Sequence, residues 1–152
     1  MKVIPKDEML KAAGTQLEPS GWVVLDQARI NSFADCTEDH QFIHIDEEKA
    51  AQTPFGGTIA HGFLTLSMMA KFSEESMIAP EGMVMGMNYG CDKLRFLAPV
   101  RAGKRVRMHS EVLNVERKDD NRFLVKIGVS MEIEGEETPA LVAEWLHMLV
   151  TA

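Results

Sequence analysis

A polar segment in the first third of the chain carries side chains suited to acid–base chemistry. Within ten residues it holds three carboxylates, one thiol and two imidazoles, namely Asp35, Glu38, Asp39, Cys36, His40 and His44. A carboxylate and an imidazole held together can bind one water molecule, because one group accepts its proton while the other orients it or returns a proton elsewhere. Asp39 and His44 suit this role, since Phe42 and Ile43 between them would anchor the segment to a core. Such a pair suits the addition of water to a C=C bond.

Two other interpretations of this segment are open on spacing alone. Asp39 and His44 are equally compatible with a helix cap and a loop histidine whose hydrogen bonds are satisfied locally. A zinc site would instead draw on the thiol, the imidazoles and one carboxylate, which are Cys36, Asp39, His40 and His44. Their spacing matches no closed tetrahedral pattern, so we predict no metal.

Gly62 follows His61 where an apolar helix is predicted to begin. Backbone N–H groups at a helix start lack intrahelical partners, and the helix dipole favours negative charge there. When an enoyl thioester is hydrated, charge accumulates on the thioester oxygen, so N–H donors at that oxygen would stabilise the transition state. The alternative is that Gly62 only allows the helix to pack closely against a sheet.

The elements around this segment alternate between helices and an ordered loop. Asp26 is predicted to cap a helix that ends near Thr37, residues 38–45 form an ordered loop, and Asp46 begins a second short helix. Residues 59–72 are apolar on nearly every side, which predicts a buried central helix.

The second half of the chain predicts an antiparallel sheet. Residues 122–133 alternate between apolar and polar, which is typical of a strand with one covered face. Further strands are predicted at residues 22–25, 83–88, 93–97, 104–116 and 140–150. Turn residues at 99–103, 119–121 and 134–135 indicate antiparallel neighbours on either side. A sheet curled around one long central helix satisfies this order, which makes the fold class α+β.

Length and composition indicate one globular domain over residues 1–152. The 45% hydrophobic and 26% charged content is near the globular average, and no repeat or linker divides the chain. A net charge of −7 opposes binding to nucleic acid or anionic lipid. No apolar run is long enough to span a membrane and no signal peptide is evident, so we expect a cytoplasmic protein. Its Cys36 and Cys91 are expected to be reduced, with one disulfide as the alternative.

Longer stretches of the chain resemble a known family. FADCTEDHQFIHID and PFGGTIAHGF resemble the signature of the MaoC-like dehydratases, the (R)-specific enoyl-CoA hydratases of the hot-dog fold, in the branch that carries D-H-Q-[FW]-I-H. NYGCDKLRFLAPV and PALVAEWL resemble the same branch. The resemblance assigns the water-binding Asp and His to Asp39 and His44, and the glycine whose N–H meets the thioester oxygen to Gly62. Gln41 stands where many of these hydratases have Asn, so it either replaces that hydrogen-bonding support or only lies nearby.

The resemblance implies reversible syn addition of water to a trans-2-enoyl-CoA, giving an (R)-3-hydroxyacyl-CoA. It implies a homodimer of hot-dog subunits without a metal or redox cofactor. Asp39 is expected to be the general base, and His44 to orient the water and help deliver a proton, although the two roles are exchangeable. The alternatives are a hot-dog thioesterase, an acyl-carrier-protein dehydratase, or a non-catalytic acyl-CoA-binding module.

The phosphates of an acyl-CoA substrate would need basic side chains to bind them. The densest basic stretch of this acidic chain comprises Lys93, Arg95, Arg101, Lys104, Arg105 and Arg107. Each is equally compatible with a solvated strand face.

Overall fold

The computed structural model describes residues 1–152 as four helices, a short 3-10 helix and seven strands. The 3-10 helix spans Lys6–Lys11, and the α-helices are α1 (Gln27–Thr37), α2 (Phe42–Ile45), α3 (Glu47–Ala51) and α4 (Gly62–Ser73). The strands are β1 (Lys2–Ile4), β2 (Val23–Val24), β3 (Ile78–Pro80), β4 (Met83–Phe96), β5 (Arg105–Arg117), β6 (Arg122–Ile133) and β7 (Leu141–Thr151).

The main sheet has five antiparallel strands in the order β2-β5-β6-β7-β4, and β1 pairs separately with β3. The hairpin of β5 and β6 around residues 119–121 is as predicted. The predicted neighbour relation across residues 99–103 is wrong, because β4 pairs with β7 at the far side of the sheet. Turn residues allow the chain to reverse direction, but they do not determine which strands pair with each other.

Strand β4 is continuous, whereas the sequence predicts two strands at residues 83–88 and 93–97. Its pairing with β7 shifts register between Asn88 and Gly90 and between Asp92 and Arg95. Such shifts mark β-bulges, which absorb extra residues without ending the strand. The break in the apolar pattern between residues 88 and 93 therefore reflects irregular pairing of β4 with β7, and not a loop between two strands.

The core lies between the sheet and α4. The alternate residues of β6 predicted to be covered are all buried, namely Phe123, Val125, Ile127, Val129, Met131 and Ile133. They belong to one hydrophobic cluster with Leu64, Met68 and Phe72 of α4. This packing confirms the α+β class and the sheet wrapped around a central helix.

One side of α4 is open to solvent, in contrast to the prediction of burial on nearly every side. Its buried residues are Leu64, Thr65, Met68, Met69 and Phe72. Phe63 is 65% exposed, and Ser67, Ala70 and Lys71 are exposed on the same side. These four residues form a stripe, because positions separated by three or four lie on one helix face.

No helix in the structure has the length and apolarity needed to cross a membrane. Cys36 and Cys91 both carry free thiols at the surface.

Candidate active site

The end of α1 turns the chain so that the polar segment faces the start of α4. Asp26 caps α1 as predicted, since its side chain accepts a hydrogen bond from the Arg29 N–H at 2.8 Å. Glu38 follows the helix in the left-handed conformation, with φ of 60°, and reverses the chain direction. The predicted loop at residues 38–45 is only partly a loop, because Phe42–Ile45 forms α2. A single helical turn is too short to show a period in sequence.

His44 is held in one orientation inside α2. It is only 6% exposed, and its Nδ1 lies 2.7 Å from the carbonyl oxygen of Ile59. A carbonyl can only accept, so Nδ1 carries the hydrogen, and in the neutral ring Nε2 keeps a free lone pair. The backbone carbonyl of His44 accepts a further hydrogen bond from the Gln27 side chain at 2.7 Å.

Burial is the main influence on the charge of His44. It lowers the pKa of His44 below the ordinary value of 6.5, while the hydrogen bond to Ile59 opposes that shift. His61 lowers the same pKa further, and Asp39 raises it. The net effect favours the neutral ring near pH 7, which is the form able to accept a proton.

His61 lies directly against His44. The two imidazole rings stack with centroids 3.7 Å apart and an interplanar angle of 26°. His61 is 3% exposed, and its Nε2 lies 3.0 Å from the backbone oxygen of Asp39, to which it donates. Its Nδ1 is buried without a hydrogen-bond partner. The ring of Phe33 in α1 lies nearby, with centroids 5.0 Å apart.

The structure brings the predicted pair together. Polar atoms of Asp39, His44 and His61 all lie within 4.8 Å of one another. Asp39 is exposed at the surface, and its carboxylate accepts a long hydrogen bond of 3.4 Å from the Gln41 N–H. The Gln41 side chain makes no hydrogen bond within the chain, so Gln41 supports the site through its backbone.

A cavity of about 270 Å³ lies against His44 and Gly62. Its walls are mostly apolar and include Ile59, Ala60, Thr65, Phe96, Leu97 and Val100. Gly62 is the first residue of α4, so its N–H has no partner inside the helix. A Cβ at Gly62 would come within 3.1 Å of the Phe96 ring, so close packing also applies at this position. The two interpretations of Gly62 are therefore compatible.

The three clustered side chains are a poor metal site. Two histidines bind one metal only if it lies near both ring planes, at about 2.0–2.1 Å from each nitrogen for zinc. The rings of His44 and His61 are 3.7 Å apart and nearly parallel, so their planes meet well beyond that bond length. His40, another ligand considered from sequence, pairs with Asp35 at 2.9 Å instead.

Most of the basic stretch is neutralised by carboxylates. Four of its members form ion pairs, which are Lys93–Glu144, Lys104–Glu136, Arg105–Glu134 and Arg107–Glu132. Arg95 donates to the carbonyl of Leu94, and Arg101 has no ion pair. Arg101 lines a second cavity of about 650 Å³, which shares Ala98 and Pro99 with the cavity beside His44. Arg101 is thus an unpaired cation of the stretch, in a cavity that adjoins the candidate site and is also lined by Glu136 and Glu137.

Three residues of the site were missed in the sequence analysis as functional candidates. Gln27 and Ile59 hold His44, and His61 contacts both predicted residues. Gln27 and Ile59 carry no recognisable signal, because one is a helix-start glutamine and the other acts through its backbone. His61 could have been found from its place next to Gly62.

The chain is similar to known proteins over most of its length. A family model described as a MaoC like domain matches residues 8–133. Nodulation protein N of Rhizobium leguminosarum bv. viciae is 43% identical over 137 residues, which cover 90% of this chain and 85% of that protein. The 3-hydroxyacyl-thioester dehydratase Z of Mycobacterium tuberculosis is 42% identical over 137 residues, which cover 90% of each chain.

Solved structures establish the hot-dog fold. A MaoC-like dehydratase from Rhodospirillum rubrum superposes with a TM-score of 0.74 at 22% identity, covering 93% of this chain and 94% of that one. The unliganded R-hydratase PhaJ1 from Pseudomonas aeruginosa superposes with a TM-score of 0.73 at 22% identity, covering 97% of this chain and 86% of that one.

Proposed function

Because the chain belongs to the MaoC-like dehydratase family, we propose that it is an (R)-specific enoyl-CoA hydratase. It would interconvert a trans-2-enoyl-CoA and an (R)-3-hydroxyacyl-CoA. The observation that carries the proposal is the proximity of the Asp39 carboxylate and the buried His44 imidazole, whose polar atoms lie within 4.8 Å of each other, with His44 lining an apolar cavity. The relative named as a 3-hydroxyacyl-thioester dehydratase supports the same chemistry.

In the hydration direction, Asp39 and His44 hold one water molecule. The water oxygen bonds to the β-carbon while one of its O–H bonds breaks and the proton passes to the pair. We assign the role of general base to Asp39, and His44 orients the water by accepting its other hydrogen at Nε2. The electrons of the C=C bond move towards the thioester oxygen. The proton then leaves the pair to form the C–H bond at the α-carbon, so both groups return to their starting state.

The N–H of Gly62 would donate a hydrogen bond to the thioester oxygen of the substrate. Its N–H is free at the start of α4, where the helix dipole favours developing negative charge. The same residue lines the cavity beside His44, so oxygen and water can be bound at one site. No metal or redox cofactor enters this mechanism.

We propose that the working form is a homodimer paired along β4. This strand is the outer edge of the sheet, and its exposed apolar side chains include Val84, Met85, Met87, Tyr89 and Phe96. A long apolar edge strand is prone to pair with another chain. A second copy would pair with the free edge of β4 and cover its apolar side chains in a closed twofold arrangement. Light scattering should give twice the mass of one chain, and Tyr89→Lys should shift it towards one.

In the decisive experiment, the purified protein is incubated with crotonyl-CoA and with longer trans-2-enoyl-CoA esters. Hydration is followed as loss of absorbance at the conjugated double bond, with chiral analysis of the 3-hydroxyacyl product. Release of free CoA would identify a thioesterase, and reaction only on acyl-carrier-protein esters would identify a carrier-protein dehydratase. Unchanged substrate with measurable binding would indicate a non-catalytic module.

Since both thiols are free, we propose the cytoplasm as the location of the protein.

A further inference from the structure

The His61 side chain contacts both members of the proposed catalytic pair. Its Nε2–H donates to the backbone oxygen of Asp39, and its ring face covers the ring of His44. We infer that His61 is a positioning residue that fixes Asp39 and His44 relative to each other, an inference that rests on the proposed hydratase function. It would not touch substrate, and it would act only through its two neighbours.

The hydrogen bond to Asp39 ties the catalytic segment to the central helix. Asp39 lies in the short link between α1 and α2, and its side chain makes only the long bond from Gln41. The bond from His61 is shorter, at 3.0 Å against 3.4 Å. Because His61 immediately precedes Gly62, the first residue of α4, this contact also relates the water-binding segment to the proposed oxyanion donor.

The unpartnered Nδ1 of His61 makes histidine a costly choice for packing alone at this position. A buried polar atom without a partner is unfavourable, and such atoms are uncommon in folded proteins. An apolar ring of similar size would fill the space between Phe33 and His44 without that cost. His61 supplies both a flat ring against His44 and a donor directed at the backbone oxygen of Asp39.

The stack also bears on the proton equilibrium of His44. Two titratable groups face His44, which are His61 from α4 and Asp39 from the preceding link. His61 lowers the pKa of His44 while Asp39 raises it, so replacing His61 by a side chain that cannot gain a positive charge should raise the pKa of His44. This effect can be measured in the absence of any substrate.

Two substitutions separate the functions of the ring and the donor. His61→Phe keeps the stacked ring but removes the N–H, whereas His61→Gln keeps an N–H donor but removes the ring. We expect kcat to fall roughly 10- to 100-fold in each, with KM changed less, because small displacements of reacting groups have effects of that size. Combined with Asp39→Asn, His61→Phe should add little further loss, since the group that it positions is already disabled.

His147 provides a matched control. It is also a histidine with a buried, unpartnered Nδ1, and it stacks on Trp145 with centroids 4.7 Å apart. It lies on β7 opposite Asn88, outside the proposed site. His147→Phe and His147→Gln should alter thermal stability much as the His61 variants do, but they should leave kcat unchanged.

NMR titration of the His44 ring supplies a measurement independent of turnover. We expect the pKa of His44 to rise in both His61 variants, and the acid limb of the pH–rate profile to move with it. An unchanged pKa of His44 in folded His61 variants, or an equal loss of kcat in the His147 variants, would overturn the inference. If the wild-type chain hydrates no enoyl thioester but the pKa still rises, the proposed function fails while the positioning contact stands.

Discussion

The carbonyl oxygen of Ile59 accepts a hydrogen bond from Nδ1 of His44 at 2.7 Å, and this contact decides which ring nitrogen is available for chemistry. Ile59 is itself fixed, because it forms an antiparallel bridge with Arg101, and the next N–H, of Ala60, donates to Val100 at 2.7 Å. The ring therefore presents Nε2 as an acceptor. A water molecule shared with Asp39 would meet two acceptors, which matches its two O–H bonds.

Removing either acceptor should slow the chemical step while the fold persists. We expect Asp39→Asn and His44→Gln each to lower kcat by roughly 10²–10⁴-fold, the usual contribution of general acid–base groups. KM should change less, because neither side chain is assigned to binding the acyl carrier. Steady-state kinetics with circular dichroism as a folding check tests both.

The double variant of Asp39 and His44 tests whether they act on one water. If they do, it should be hardly worse than the poorer single variant, since a unit already disabled loses little more. Multiplicative losses would show two independent roles. Full hydratase activity in either folded single variant would refute the assignment.

Local features of this fold could be predicted from the sequence, and features that depend on distant backbone could not. Asp26 and Asp46 cap helices through N–H groups three residues ahead, so the pattern lies within four residues. The pairing of β4 with β7 is set by packing across the whole sheet, and no local pattern specifies it. The Ile59 carbonyl that holds His44 is a group that every residue carries, so residue type gives no signal of it.

The pH dependence of activity should follow the neutral form of His44. Burial lowers the pKa of His44 below 6.5, so the required neutral ring persists to lower pH than in a free histidine. We expect the acid limb of kcat/KM to show an apparent pKa below about 6.5. An acid limb above that value would contradict the assignment of a buried neutral His44.

Stability should depend on pH through the same residue. A lowered pKa in the fold means that the unfolded chain binds more protons just below pH 6.5, so stability falls as pH drops through that range. Burial also lowers the pKa of His147, which adds to the trend, whereas the bond to Asp35 raises the pKa of the exposed His40 and opposes it weakly. Melting temperatures between about pH 7.5 and 5.5 should therefore decline, and less steeply in His44→Gln and His147→Gln. A slope unchanged by both substitutions would argue against these shifts.

The substitution Gly62→Ala tests the close packing at Gly62 while leaving its N–H in place. Alanine keeps the N–H but places a methyl group about 3.1 Å from the Phe96 ring, which must then move. We expect a several-fold lower kcat/KM, and recovery when Phe96→Leu is added to make room. Recovery would assign the effect to crowding of the cavity, with the N–H still in use. No recovery would indicate that the methyl group disturbs the start of α4 itself.

Activity should survive removal of metal ions. The nearly parallel rings of His44 and His61 cannot both direct a nitrogen at one ion at bonding distance. Dialysis against a strong chelator should leave kcat unchanged, with the metal content checked by elemental analysis. A loss of activity that Zn²⁺ restores would overturn the acid–base mechanism.

Arg101 should contribute to binding the CoA ester. Four members of its basic stretch already form ion pairs, while Arg101 is unpaired and lines a cavity that adjoins the one beside His44. An anionic phosphate reaching this cavity would gain a charge-assisted hydrogen bond, which is worth about 1.5–3 kcal/mol. Arg101→Gln should therefore raise KM for the CoA ester roughly tenfold, with kcat little changed, and should weaken the salt dependence of KM.

Arg105→Gln is the matched control for Arg101, because it removes the same charge from an arginine that Glu134 already neutralises. It should leave KM near the wild-type value. An equal rise in both variants would indicate a general field of positive charge rather than a contact at Arg101. If KM is unchanged when each of the six basic residues is neutralised in turn, this stretch does not bind CoA.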